Sequence, residues 1–111
     1  MATGILGTAD LTAAVWTNLY PVPALTFSVV SLSIVNRSNQ AVNVRVACTT
    51  ATTAPPSAPL ASEYIEYDVE ILAKGVLERT GIVMDASKIL AVYSNAAGVS
   101  AVAFGIETST V

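Results

Sequence analysis

The chain has 111 residues and a net charge of −3, and 53% of it is hydrophobic against 12% charged, which is about half the usual charged share. The length suits a single domain over residues 1–111, and so little charge cannot cover an ordinary wetted surface, which indicates that part of the surface contacts other protein. Five scattered basic residues exclude a nucleic-acid surface, and a single cysteine excludes an internal disulfide.

The first eleven residues, MATGILGTADL, are small and lack the basic start and long apolar run of a signal peptide. We expect residues 1–11 to form a flexible arm that becomes ordered on assembly. The larger apolar side chains of this arm, Leu6 and Leu11, are candidate contacts with a partner.

A short strand is predicted from Val15 to Tyr20, and Pro21 ends it because proline cannot donate a ladder hydrogen bond. Trp16 and Tyr20 lie in this strand. Two interpretations of the pair stay open. The rings either pack in the core or at a sheet edge, or they anchor the chain in a pocket between subunits.

Residues 25–48 show the clearest period-two alternation and are predicted to form one long hairpin. The alternation changes parity at Val29-Val30, which predicts a β-bulge that keeps both sets of apolar side chains in the core. Cys48 continues a row of alternating valines, so it is interpreted as a small core residue. The chain has no histidine that would activate its thiol.

Residues 49–62, TTATTAPPSAPLAS, carry no charge and predict a loop. Pro55 and Pro56 exclude a regular ladder there because neither residue has a backbone N–H group. The loop is either a plain surface connection or an arm that lies on a neighbouring subunit.

The stretch EYIEYDVEI, residues 63–71, is the densest run of charge in the chain. Strand alternation predicts that Glu66, Asp68 and Glu70 share one face, with four apolar side chains on the other. Three interpretations of these acids are open. They are a solvated strand face, a calcium site or a carboxylate pair for glycoside hydrolysis. The solvated face is favoured, since only 6% of the residues are aromatic and a sugar cleft needs aromatic platforms. Its expected basic partners on adjacent strands are Arg45, Arg79 or Lys74.

Two further segments complete the prediction. Residues 76–84 read as a strand with Gly81 at another bulge. Residues 89–106 read as a final hairpin around Asn95 to Gly98 rather than as a membrane span. Seven or eight closely spaced strands without a long helix predict an all-β antiparallel β-sandwich or small jelly roll.

The inventory of catalytic groups is thin. Without histidine, zinc sites and the usual catalytic triads lose their commonest ligand or base. No glycine-rich phosphate or dinucleotide motif occurs in the sequence. We therefore expect no enzyme, no catalytic residue, no cofactor and no metal.

Several blocks resemble a family of small tailed-phage virion proteins. These are ADLTAAVWTNLYPVPA, FSVVSLSIVNRSNQAVNVRVA, EYIEYD, GVLERTGI and AAGVSAVAFGIE, and the resemblance covers about residues 9–107. The blocks are specific in order and spacing, although none encodes a chemical mechanism. The family usually has a glycine soon after VPA, whereas Leu25 follows Ala24 in this chain. The resemblance implies a β-sandwich structural protein of the virion and leaves its place in the virion open.

The leading expectation is a capsid decoration (cement) protein on the capsid surface, made in the host cytoplasm, which docks on the major capsid protein or other virion proteins. The resemblance implies a homo-oligomer, with a trimer favoured, and neither nucleic acid nor a membrane is an expected partner. The expected contacts are the amino-terminal arm, Trp16, Tyr20, Pro55 and Pro56, and the acidic face at residues 66–70 is a further docking candidate. The alternatives are a tail, neck or baseplate component, such as a fibre base, and a carbohydrate- or calcium-binding attachment module.

Overall fold

The computed structural model describes residues 3–50 and 61–110, which form eight strands in two four-stranded antiparallel sheets. This confirms the predicted all-β class, which β-branched residues and period-two alternation favour. A short 3-10 turn at Ala61–Glu63 precedes the fifth strand. In chain order the strands are β1 (Thr3–Leu11), β2 (Thr17–Pro21), β3 (Thr26–Asn36), β4 (Val42–Thr50), β5 (Tyr64–Ile71), β6 (Val76–Met84), β7 (Lys88–Ser94) and β8 (Val99–Ser109).

The strand order is that of a jelly roll. Sheet A has the order β1-β8-β3-β6, and sheet B has the order β2-β7-β4-β5. Each strand lies in the opposite sheet from the strand before it, except that β5 follows β4 within sheet B. Winding the chain in this way gives two stacked sheets that bury one face each against the other. The predicted β-sandwich or small jelly roll is confirmed, with eight strands.

Both predicted hairpins are wrong in their pairing. β3 and β4 lie in different sheets, and so do β7 and β8. Each pair faces across the core instead, because both of its strands carry an apolar row that is buried when the sheets stack. Asn36 supports the crossing from β3 to β4. Its fully buried amide donates to the carbonyl oxygens of Gln40, at 2.7 Å, and Ile71, at 3.1 Å, and its oxygen accepts from the backbone of Ser38 at 3.0 Å.

The predicted bulge at Val29-Val30 is also wrong. Every second residue of β3 is buried from Thr26 to Asn36, without a change of parity, and Val29 faces outward. The register shift falls instead on β6, opposite the step from Val30 to Leu32. Gly81 lies in this stretch with φ +71°, a left-handed conformation that glycine adopts without steric cost. The predicted bulge near Gly81 is thereby confirmed.

The core fills the space between the inner faces of the two sheets. β3 contributes the row Val30, Leu32 and Ile34, and β4 contributes Val42, Val44 and Val46 across from it. All six are at most 2% exposed. Burying an aliphatic side chain of this size stabilises the fold by roughly 1.5–3 kcal/mol. The two rows therefore hold the sheets together.

The amino-terminal segment is a strand rather than a flexible arm over residues 3–11. β1 pairs with β8 from Thr3 to Leu11, so the arm prediction is wrong for these residues. Gly7 lets β1 approach β2 of the other sheet, because a Cβ atom at this position would lie 2.2 Å from the carbonyl oxygen of Leu19. The contact between β1 and β2 brings the two sheets together along this side of the sandwich.

Candidate functional site

Most of the apolar side chains expected to contact a partner pack inside the chain itself. Leu11, Trp16 and Tyr20 are only 3%, 7% and 3% exposed. Leu6 is half-buried and packs against the core. Burial leaves Leu11, Trp16 and Tyr20 little surface for a partner: Tyr20 packs in the core, and Trp16 packs on Ala47 and Ala91 at the sheet surface. The role of Leu6 as a partner contact stays a prediction. The other two candidates of this kind, Pro55 and Pro56, lie outside the described residues.

Tyr20 joins the two sheets through its hydroxyl group. It lies on β2 in sheet B, and its hydroxyl donates to the Glu107 carboxylate of β8 in sheet A, at 2.5 Å. The Ser28 hydroxyl of β3 lies 2.7 Å away and, because Tyr20 has a single proton to donate, acts as the donor in that contact. Burial, together with the neighbouring Glu107, raises the pKa of Tyr20 to about 12. The group is a structural tie between the sheets.

The acidic strand is irregular, so the prediction of one shared acidic face is wrong. β5 pairs with β4 through two register shifts, which lie around Val46. Glu66 stands opposite the fully buried Val46, whereas Glu70 stands opposite the exposed Asn43. Residues directly opposite each other in a ladder point to the same face. Glu66 and Glu70 therefore belong to opposite faces of sheet B.

The predicted pairing of these acids with basic residues is confirmed. Arg45 donates two hydrogen bonds to the carboxylate of Asp68, from Nε at 2.6 Å and from Nη2 at 3.2 Å. Arg79 of β6 in sheet A reaches Glu66 of sheet B at 2.7 Å. The Arg45 hydrogen bonds lower the pKa of Asp68, and the same contact raises the pKa of Arg45.

The outer face of sheet B carries a cluster of rings that sequence reasoning missed. Trp16 lies over Ala47 and Ala91, which stand directly opposite each other on β4 and β7. Its ring centroid is 5.9 Å from that of Tyr64 and 5.4 Å from that of Tyr93. The one available signal was the pair of small alanines, because small residues leave room for a ring on a sheet. The chain thus covers much of this outer face with its own aromatic side chains.

Arg45 extends this cluster to the surface. Its guanidinium carbon lies 4.4 Å from the centroid of the Tyr67 ring and 5.3 Å from that of Tyr93. The Tyr67 ring meets Tyr64 edge-to-face at 4.9 Å and stays 59% exposed. The prediction that Tyr67 belongs to the apolar inner face is therefore wrong. Asp68 beside it has φ 51°, a strained conformation for a residue with a side chain.

Part of the outer face of sheet A is apolar and uncovered by other described residues, whereas the rest carries Glu78, opposite Ser33, and Asp10, which accepts from Arg37. Val29 stands opposite Ile106 on one side and Val83 on the other, and Phe104 stands opposite Ile5. Val35 and Val76, which stand opposite each other, are also exposed on this face. We call six other exposed apolar side chains on it the sheet A patch: Ile5, Phe27, Val29, Val83, Phe104 and Ile106. They are 37–70% exposed and together present about 600 Å², at the upper end for the largest apolar patch of a monomer. The predicted bulge at Val29-Val30 places Val29 in the core together with Phe27, which alternates in step with it, and the structure contradicts this for both.

The described residues show little that would support chemistry. No group of three or more His, Cys, Asp or Glu side chains among them is arranged to hold a metal ion, and their surface forms no pocket. Cys48 packs against the core as predicted. Burial raises the pKa of its thiol, which makes it a poor nucleophile at neutral pH.

The fold and the two faces define an all-β jelly-roll protein with an apolar patch on one outer face and an aromatic cluster on the other. No protein-family model, no curated protein and no solved structure matches the chain. Across the described ranges, none of the secondary structure is a helix with the length and apolar character needed to cross a membrane.

Proposed function

We propose that this chain is a non-enzymatic structural protein of a tailed-phage virion, a capsid decoration protein that docks on the major capsid protein through the sheet A patch. The observation that carries the proposal is the uncovered apolar face of sheet A. The sequence resemblance supports the virion assignment. The jelly roll is an architecture that viral capsid and lectin domains use, although fold alone does not determine function.

The size of the sheet A patch suits a protein interface. A stable interface buries about 800 Å² on each partner, so a patch of about 600 Å² is the apolar centre of an interface of ordinary size. Removing it from water is worth up to about 15 kcal/mol at 25 cal/mol/Å². Association consumes much of this through lost translational freedom and side-chain ordering.

The contrast between the two outer faces supports sheet A as the face that a partner covers. On sheet B, Trp16 covers Ala47 and Ala91, and the charged pair Arg45–Asp68 is exposed to water. The sheet A patch has neither a covering aromatic ring nor a charged member. A chain with few charges that nonetheless shields one face and leaves the other bare is suited to bind protein on the bare face.

Many copies on one shell would add their effects. Each copy that bridges neighbouring capsid subunits adds a contact which must break before the shell opens, and several weak contacts sum to firm attachment. A decoration protein of this kind resists the outward pressure of packaged DNA without any chemical step.

Binding to shells tests the proposal directly. Purified protein is mixed with capsids that lack it, and the bound copies are counted after sedimentation and located by electron cryomicroscopy. We expect hundreds of copies on the head, a number of the order that multivalent coating requires. Detection only in tail fractions, with a dozen copies or fewer per particle, would assign the chain to the tail, neck or baseplate and reject the decoration role.

A pair of variants localises the interface. Val83→Glu places a charge in the sheet A patch, and we expect affinity for the shell to fall by about tenfold or more, since an unpaired charge would be buried on docking. Val15→Glu makes the same change at a 41% exposed valine outside the patch and should bind as the unaltered protein does. Equal binding by both variants contradicts docking through this face.

A further inference from the structure

We propose that the outer face of sheet B is a platform for a neutral polysaccharide, built by Tyr67, Tyr93, Arg45, Asp68 and Asn43. This inference goes beyond the proposed function and does not depend on it, since the platform belongs to the other sheet. It concerns a binding site for a class of ligand, chains of pyranose sugars.

The bulge in β5 creates the platform. In a regular strand Tyr67 and Asp68 would point to opposite faces. Here β5 has an extra residue between its pairings with Val46 and Val44, and Asp68 adopts φ 51°. Both side chains therefore reach Arg45 on the outer face, Tyr67 through its ring and Asp68 through its carboxylate. Strain of this kind persists where the surrounding contacts enforce it, and it is frequent at binding sites.

The groups on this face match the chemistry of a sugar ring. A pyranose presents C–H groups on one face, which pack on aromatic rings, and hydroxyl groups around its edge, which both donate and accept hydrogen bonds. Tyr67 is 59% exposed and Tyr93 lies beside it across Arg45. Of the five N–H groups of a guanidinium, two donate to Asp68, so three remain for hydroxyl oxygens. The Asp68 carboxylate and the exposed Asn43 amide supply acceptors and donors next to them.

The platform is rigid before any ligand arrives. Arg45 is held on one side by two hydrogen bonds to Asp68 and on its face by the Tyr67 ring. Tyr67 is held in turn by its edge-to-face contact with Tyr64. A preorganised site loses little side-chain entropy on binding, which matters for sugars because each contact is weak.

The charge and the shape of the platform limit the class of sugar that it can bind. Arg45 and Asp68 offset each other, and Glu70, opposite Asn43, adds a negative charge at the edge of the platform. An anionic sugar would meet net repulsion there, so the face favours a neutral one. The described surface forms no pocket, and a flat face suits an extended chain that lies across it better than a single enclosed sugar.

A protein partner fits this face less well. Tyrosine and arginine are frequent at protein interfaces, but a protein covering the platform would remove Arg45, Asp68 and Glu70 from water together. Glu70 would then need a new cationic partner, because a buried unpaired charge is costly. A sugar chain leaves the edges of the platform in contact with water, so Glu70 stays solvated and needs no cationic partner.

Titrations followed by NMR test the inference. The probes are three neutral hexasaccharides, cellohexaose, maltohexaose and hexa-N-acetylchitohexaose, with a hyaluronan hexasaccharide as the anionic comparison. We expect at least one neutral probe to bind in the millimolar range and to shift the signals of Arg45, Tyr67 and Tyr93, and we expect the anionic probe to bind more weakly.

Variants at position 67 make the test specific. Tyr67→Ala should weaken binding by about tenfold, the loss expected for one aromatic contact, whereas Tyr67→Phe keeps the ring and should retain it. Tyr67 is exposed, so both variants should keep the dispersed spectrum of the folded chain. Val83→Glu, on sheet A, should bind the probe normally. The two variants separate the two hypotheses. We expect Val83→Glu to weaken binding to capsid shells and Tyr67→Ala to weaken binding to the oligosaccharide.

Two results would overturn the inference. One is the absence of any shift at Arg45, Tyr67 and Tyr93 with all three neutral probes at their solubility limits. The other is a set of shifts that Tyr67→Ala leaves unchanged, which would place sugar contacts elsewhere. Failure of shell binding in either variant set bears only on the proposed docking face.

Discussion

The substitution Tyr20→Phe removes the hydroxyl group that ties the two sheets together and leaves the ring in place. The hydroxyl connects β2 of sheet B with Ser28 and Glu107 of sheet A. Tyr20 is 3% exposed and Ser28 is fully buried, so water cannot replace the lost partner. The ring still fills its part of the core, which restricts the effect of the change to the hydrogen bonds.

The loss of stability in Tyr20→Phe depends on the polar groups that lose their partner, the Ser28 hydroxyl and the Glu107 carboxylate. A buried hydroxyl without a partner costs about 1–3 kcal/mol, and the lost bond to a carboxylate adds about as much again at most. We expect the free energy of unfolding to fall by about 3 kcal/mol at pH 8. In a domain of this length that corresponds to a melting temperature lower by about 10 °C.

The same hydroxyl predicts a pH dependence. The pKa of Tyr20 is raised to about 12 in the folded chain from an ordinary value of 10.0. Because the folded state keeps the proton, its stabilisation is complete below pH 10 and is lost as pH rises from 10 towards 12. At about 1.4 kcal/mol per pH unit this loss amounts to about 3 kcal/mol. Tyr20→Phe lacks the group and escapes the loss, so the difference between the two proteins should nearly vanish at pH 12.

Urea unfolding of both proteins between pH 8 and pH 12 measures this difference. The other titrating groups are common to both chains, so subtraction isolates Tyr20. Tyr67→Phe is the matched control, since this ring is 59% exposed, and its unfolding free energy should stay within about 0.5 kcal/mol of the unaltered protein. A constant difference between the unaltered protein and Tyr20→Phe across the pH range would refute the role of the hydroxyl as a buried, proton-retaining tie.

Three further changes probe other parts of the sandwich. Gly7→Ala should lower the unfolding free energy by about 3 kcal/mol, because the added Cβ meets a backbone carbonyl of β2. Gly81→Ala meets no atom but places a side chain in the left-handed region, and it should lower the unfolding free energy by about 1 kcal/mol. Chemical denaturation of both variants measures the two losses. Asn36→Ala should cost about 3 kcal/mol, since buried carbonyl oxygens lose their donor, and Asn36→Asp should not restore stability in the same assay. Arg45 lowers the pKa of Asp68, so their pairing stabilises the fold above the unfolded pKa of Asp68, and this stabilisation is lost as pH falls. Asp68→Asn should therefore reduce the fall of the unfolding free energy at acid pH. An unchanged dependence of the unfolding free energy on pH would contradict this.

Strand content was predictable because alternation and β-branched residues act locally. The rows of β3 and β4 alternate so regularly that their strands could be placed from sequence. Which strands pair was not predictable in the same way. A row of apolar side chains is buried equally well whether the next strand in the chain pairs with it in the same sheet or faces it across the core from the other sheet. The buried amide of Asn36, which fixes the crossing between sheets, looks in the sequence like an ordinary turn residue.

The outer faces were beyond sequence reasoning for a related reason. Alternation assigns Tyr67 to the core, and the bulge predicted at Val29-Val30 assigns Val29 to it, but the face of a side chain depends on bulges that lie partly on the neighbouring strand. Val29 faces outward because β3 is regular and the bulge falls at Gly81 of β6. Tyr67 faces outward because β5 has its own irregularity beside Asp68. The side chains that carry both proposals therefore depend on register, which is a property of strand pairs and not of one strand.

The unequal covering of the two sheets has a consequence for assembly. If both outer faces were bare and apolar, each molecule would offer two adhesive sides, and such contacts between unlike faces continue into open stacks. On sheet B, Trp16 covers Ala47 and Ala91, and the ion pair Arg45–Asp68 lies on the same face, so this face is less suited than the sheet A patch to stack on an apolar surface. The proposed docking therefore has a single orientation, with sheet A against the partner and the aromatic face of sheet B turned to the surroundings.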